Sequence, residues 1–120
     1  MRQAGILAAA GLIALEKMPA RLGEDHANAR FLATALADIP GIRLDPSKVV
    51  TNILVFNIAA TGMTSAEIST RLAKRNVLAS GIDAEHIRMV THMDVDRTGC
   101  EHAVDAMAGI CGRTRVGAHR

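Results

Sequence analysis

The hydrophobic period of this chain switches at Ile39-Pro40-Gly41, and that switch limits the folds open to it. Before it, Leu22, Ala29, Leu32, Ala33 and Leu36 recur at helical spacing. After it, Thr51-Asn52-Ile53-Leu54-Val55-Phe56-Asn57-Ile58 is a short run rich in β-branched and aliphatic residues, as a strand requires. With two Phe and no Tyr or Trp, the core must draw its volume from Ala, Leu, Ile, Val and Met. At 120 residues the chain is long enough to bury such a core without disulfides or metal.

Local signals place the remaining elements. Pro19 suits the first turn of the helix that Ile39-Pro40-Gly41 ends, with Glu24, Asp25 and Arg30 expected to face water. Ile42 to Leu44 reads as a short strand and Asp45-Pro46-Ser47 as a turn. The run Thr51 to Ile58 is too apolar for an edge strand exposed on both faces. Thr64-Ser65-Ala66-Glu67 is a capping box that opens another helix, with Ile68, Leu72 and Leu78 inward and Arg71, Lys74 and Arg75 at its carboxy end. A short strand over Val77 to Ala79 and a turn at Gly81-Ile82-Asp83 lead into a strand around Arg88. Asp96 caps a last helix whose apolar face includes Ala103, Met107 and Ile110, and Gly112 ends it. The expected fold is α+β: a small, mostly antiparallel sheet with helices on one face, preceded by a long apolar helix. The expected divisions are a connecting helix over residues 1–18, a small α+β domain over 19–112 and a frayed basic tail over 113–120.

Charge and cysteine content narrow the function. The net charge is +2; three arginines (Arg113, Arg115, Arg120) belong to the last eight residues, and without them eleven basic residues face twelve acidic ones. That balance and the lack of aromatic platforms argue against nucleic acid. Cys100 and Cys111 fall eleven residues apart on one expected helix, about 16 Å, which a disulfide cannot span. Their thiols fit a reducing cytoplasm. Ala4 to Leu15 imitates the apolar core of a signal peptide, but Glu16 and Lys17 follow directly, no small-x-small cleavage site stands behind it, and about 20 residues would be needed to span a bilayer. The plainer reading is a helix apolar on nearly all sides, buried in a larger body.

Arg88 interrupts the otherwise apolar run Ile87-Arg88-Met89-Val90. A guanidinium in a half-buried strand requires an anion, and its planar fork suits a carboxylate. Glu85 and Asp94, the nearest acids in sequence, are poorly placed for a side chain that points to one face. The anion is either a ligand or a distant Asp or Glu. Spacing among His86, His92 and His102 matches no metal motif; His92 and Asp94 read as a strand-to-helix corner whose side chains bond backbone, and His26 as solvated.

Four blocks in order resemble the low-specificity L-threonine aldolases, pyridoxal-phosphate enzymes of fold type I. They are Met1 to Gly11, Arg21-Leu22-Gly23-Glu24-Asp25-His26-Ala27-Asn28-Ala29-Arg30, Thr51-Asn52-Ile53, and Ile87-Arg88-Met89-Val90-Thr91-His92-Met93-Asp94-Val95. The resemblance covers roughly residues 1 to 110 and corresponds to the carboxy-terminal third of such an enzyme. It implies a retro-aldol cleavage of L-threonine or L-allo-threonine to glycine and acetaldehyde, with pyridoxal 5'-phosphate as electron sink and Arg88 holding the substrate carboxylate. It also implies a cytoplasmic homotetramer with sites completed across subunits. Arg2, expected to begin the first helix, is the candidate contact to the cofactor phosphate, since helix N-termini favour anions. No lysine matches the one that binds the cofactor covalently: Lys17, Lys48 and Lys74 fall in a helix end, a turn and a helix end. The chain alone is therefore expected to be inactive. Two alternatives stay open: a non-catalytic remnant that binds partners or oligomerises through its apolar first helix, and a piece of a related β-eliminating lyase.

Overall fold

A computed structural model describes residues 2–112, so the expected basic tail lies outside the described residues. Helices α1 (Gly5–Glu16), α2 (Leu22–Ala37), α3 (Ser65–Ala73) and α4 (Arg97–Cys111) accompany strands β1 (Ile53–Asn57), β2 (Ser80–Gly81) and β3 (His86–Val90). The strands form an antiparallel sheet in the order β1-β3-β2. Strict alternation sets its two faces. Leu54 and Phe56 of β1 and Ile87 and Met89 of β3 are buried, whereas Ile53, Val55, Arg88 and Val90 are exposed. Helices therefore cover one face, as the α+β expectation requires.

The core beneath that face joins Leu32, Ala33 and Leu36 of α2, Ile68 and Leu72 of α3, and Met107 and Ile110 of α4. Both ends of α3 follow from sequence. Thr64 Oγ1 accepts from Glu67 N, and the Glu67 carboxylate accepts from Thr64 N at 2.8 Å, completing the capping box. At the other end Asn76 takes a left-handed conformation (φ 60°), and Val77 N donates to Leu72 O at 3.0 Å. This reversal buries Val77 and turns Leu78 out, 90% exposed, against the expectation that Leu78 points inward. It also delays pairing, so the strand forms at Ser80–Gly81 and not at Val77 to Ala79. Asp96 caps α4 by accepting from Gly99 N at 2.8 Å, and Cys100 and Cys111 both lie buried on that helix.

Other expectations need correction. Leu22, at the first turn of α2, is 45% exposed, while Asp25 is 3% exposed where solvent was expected. The strand proposed over Ile42 to Leu44 shrinks to a single bridge, Arg43 with Asn57, because Asp45-Pro46 turns the chain away and proline has no N–H to extend the ladder. Apart from that bridge β1 is an edge strand, and, as its apolar run requires, it is exposed on one face only. Gly41 occupies the turn before it with φ 90°, and a Cβ there would lie 2.8 Å from the Thr61 methyl, so only glycine fits.

The first helix departs most from the rest. α1 has twelve residues, three turns rather than a long helix, and buries none of them. Ile6, Leu7 and Leu15 are 88%, 65% and 77% exposed. The chain accordingly has a radius of gyration of 17.4 Å, against about 14 Å for a compact domain of this length.

Candidate functional site

Arg88 stands in the middle strand, on the sheet face that no helix covers. Its cross-strand neighbours are Val55 of β1 and Ser80 of β2, and Ile53 pairs with Val90 in the next row on that face. Among the described residues its guanidinium has no hydrogen-bond or ion-pair partner. The distant Asp or Glu left open by the sequence is thus absent among them. The desolvation argument also changes: Arg88 is exposed within this chain, so an unpaired charge costs little until something covers the face. A cation ringed by Ile53, Val55 and Val90 gains strength for an anion once water is excluded.

The register that aims Arg88 outward is fixed at Thr91, which is fully buried. Thr91 N donates to Asn52 O at 2.9 Å, Asn52 Nδ2 donates back to Thr91 O at 2.8 Å, and Thr91 Oγ1 donates to Asp25 O at 2.7 Å. Asn28 Nδ2 reaches Val95 O at 3.4 Å. The Asp25 carboxylate accepts from both terminal nitrogens of Arg21, at 3.1 and 3.0 Å, a fork that satisfies a buried anion. One threonine therefore ties together the start of α2, the approach to β1 and the end of β3. Because side chains alternate, a slip of one residue would turn Arg88 into the core. Sequence reasoning missed these roles of Thr91, Asn52 and Asp25. The signal was present, since three of the four blocks quoted above, Arg21 to Arg30, Thr51 to Ile53 and Ile87 to Val95, are the segments that meet here.

Two residues before Arg88 on the same face, His86 is held at both ring nitrogens. Asn57 Oδ1 accepts from Ala59 N at 3.0 Å, which leaves Asn57 Nδ2 facing His86 Nε2 at 3.3 Å. Nε2 is then the acceptor, and Nδ1–H donates to the Asp83 carboxylate at 2.9 Å. The Glu85 backbone N–H, followed by the His86 side chain, holds the Asp83 carboxyl below its ordinary value of 3.8.

The remaining candidates fall elsewhere. Arg2 precedes the first residue of α1 by three positions rather than opening the helix, and it is exposed. Lys17, Lys48 and Lys74 are exposed on three separate elements. His26 is half-buried instead of solvated. His92 and Asp94 form the expected corner, with Asp94 N donating to His92 Nδ1 at 3.2 Å. Burial pushes both thiols, Cys100 and Cys111, above their ordinary value of 9.0. Among the described residues no group of three His, Cys, Asp or Glu could hold a metal, and no helix is long and apolar enough to cross a membrane.

Comparison with known proteins gives the family and the fold. The beta-eliminating lyase family model matches residues 1–61, just over half of the chain. A low specificity L-threonine aldolase of Escherichia coli K12 is 39% identical over 97 residues, covering 81% of this chain and 27% of the relative. Low-specificity L-threonine aldolase 1 of Arabidopsis thaliana is 31% identical over 96 residues, covering 79% of this chain and 27% of the relative. The chain thus spans about a quarter of the length of these curated relatives. A solved structure, MppP soaked with the product 2-ketoarginine, shares the fold with a TM-score of 0.62 at 15% identity, over 82% of this chain and 30% of that one.

Proposed function

The chain belongs to the beta-eliminating lyase family, and from that premise we propose that it supplies the substrate-carboxylate arginine of a pyridoxal-phosphate-dependent aldolase acting on L-threonine or L-allo-threonine. The observation that carries this reading is Arg88: an exposed guanidinium among Ile53, Val55 and Val90, without a protein anion among the described residues. An amino-acid carboxylate matches its fork with two parallel N–H···O bonds. Held at that end, the substrate keeps a fixed orientation about its α-carbon, so that the bond to the β-carbon can be selected for cleavage. With the face covered, the apolar residues around the fork would exclude water from the carboxylate and strengthen its grip.

Pyridoxal phosphate, when bound, supplies the electron sink for the Cα–Cβ cleavage. Covalent attachment does not fit the lysines described here, which are exposed and lie on three elements. No step of bond breaking is therefore assigned to these residues, and the chain by itself is proposed to be inactive. Arg2 is kept as the proposed contact to the cofactor phosphate, and α1, apolar and exposed, as a surface packed against further protein in a homotetramer of the cytoplasm.

The test is a graft. Residues 2–112 replace the matching segment of the E. coli low specificity L-threonine aldolase, and turnover of L-threonine is compared for the parent and for Arg88→Lys. An ammonium keeps the charge but loses the fork, so KM is expected to rise at least tenfold with the graft still folded. Equal KM for the two would remove the proposed role. For the chain alone, borohydride treatment after mixing with pyridoxal phosphate should give at most scattered, substoichiometric labelling of exposed amines, and one stoichiometric adduct at a single lysine would contradict its inactivity.

A further inference from the structure

Beside the Arg88 row the open face carries a second set of polar groups that the proposed function does not use. Arg43 and Asn57 exchange backbone hydrogen bonds at 2.9 and 3.0 Å, and Asn57 is in turn opposite His86. Residues directly paired across strands point to the same side, so Arg43, Asn57 and His86 form a row adjoining Val55 and Arg88. A concavity of about 430 Å³ opens there, bounded by this row, by Lys48 on the Pro46–Lys48 turn and by Val55. That size is within the range of small-molecule sites.

Its charges are unequal. The Arg43 side chain is exposed and has no hydrogen-bond or ion-pair partner among the described residues. Asp45 is the one carboxylate lining the concavity among the described residues; its Oδ1 already accepts from Ser47 N at 3.0 Å and from Ser47 Oγ at 2.6 Å. These two bonds, more than the neighbouring Lys48, hold its carboxyl below the ordinary value. One committed anion against two cations leaves a net positive charge. His86 adds no free donor, because both its ring nitrogens are engaged with Asp83 and Asn57. Leu44, Ile53 and Val55 make the rest of the lining apolar.

We propose that this concavity is a second ligand site, for a small organic oxyanion whose charged end is held by Arg43 and Lys48 and whose short apolar body lies against Leu44, Ile53 and Val55. A fork and a point charge converging on one oxyanion, with hydrocarbon beside them, select against cations and against inorganic ions that have no apolar part. The site adjoins the carboxylate grip assigned to Arg88 and shares Ile53 and Val55 with it, but draws its charge from Arg43 and Lys48.

Amide shifts of the isotopically labelled 120-residue chain are followed during titration with sodium butyrate, sodium phosphate or n-butylammonium chloride at constant ionic strength. Butyrate is expected to give saturable shifts at Arg43, Lys48, Val55 and Asn57, phosphate to need at least fivefold higher concentration, and butylammonium to give none. Arg43→Gln combined with Lys48→Gln should weaken butyrate at least tenfold, and preserved spectral dispersion checks that this variant is folded. Arg88→Gln should leave the butyrate response at Arg43 and Lys48 unchanged, whatever it does at Val55 beside it. Unsaturable butyrate shifts, phosphate binding as tightly as butyrate, or an unaltered response in the double variant would overturn the proposal. Loss of the response in Arg88→Gln would also overturn it, by assigning the anion to the Arg88 row.

Discussion

The two faces of the sheet come from the same ten residues of β1 and β3 yet meet opposite surroundings. On the inner face Leu54, Phe56, Ile87 and Met89 are almost completely buried beneath α2, α3 and α4. On the outer face Ile53, Val55 and Val90 are 45%, 43% and 40% exposed around an uncovered arginine. Ile53, Val55 and Val90 make half of the outer face apolar too, so hydrophobicity alone does not separate the two. What separates them is that one has its partners within the chain, while the other leaves a charge and apolar side chains without partners among the described residues. The inner face explains the fold, and the outer face carries the proposed function.

Substitution should expose that difference most sharply. Phe56→Ala on the inner face removes a fully buried ring and should cost about 3–5 kcal/mol in urea unfolding. Val55→Ala, its neighbour on the outer face, should cost no more than about 0.5 kcal/mol. Equal costs would mean that the outer face is already covered in solution. Arg21→Gln leaves the buried Asp25 carboxylate without its fork; since Arg21 keeps some exposure, the expected loss is about 2 kcal/mol by the same measurement. Thr91→Val removes the hydroxyl bond to Asp25 O and should cost about 1 kcal/mol. Broadened amide signals at Arg88 would be the sign that the register has loosened with it, and sharp, unmoved signals would show that Asn52 alone holds it.

Acid should have the smallest effect, and a local one. The Asp83 carboxyl is lowered in the folded chain by the Glu85 N–H and then by His86. A depressed carboxylate contributes at neutral pH and loses that contribution only as pH falls below the ordinary 3.8 through its own value. The side-chain carboxyl carbon signal of Asp83 should therefore begin to move only well into the acid range, with its midpoint below the ordinary 3.8. A midpoint at or above 3.8 would show that the Glu85 N–H and His86 do not hold the carboxylate.

The sequence made elements legible wherever a local rule sufficed. The capping box at Thr64, the Asp96 cap and the strand around Arg88 all stand as read. It misled where distant partners decide. Asp25 looks like one of several surface acids on an amphipathic helix, and only the fork from Arg21 and the arrival of Thr91 make its burial affordable. Leu78 looks like another helical core position, but Asn76 reverses the chain just before it. Arg88 was found because a charge in an apolar strand is conspicuous, although the reason first given, desolvation, does not operate in this chain by itself. Arg43 drew no attention, since its alignment with Asn57 and His86 exists only once a lone bridge is formed.

The central claim is that the fork at Arg88 recognises a carboxylate, and a substrate without one tests it most directly. In the grafted lyase, kcat/KM is measured for L-threonine and for L-threoninamide, in the parent and in Arg88→Gln. The account predicts that the parent prefers the acid by at least about a hundredfold, of the order of 3 kcal/mol, and that Arg88→Gln removes nearly all of that preference. A preference that survives unchanged in Arg88→Gln would contradict it.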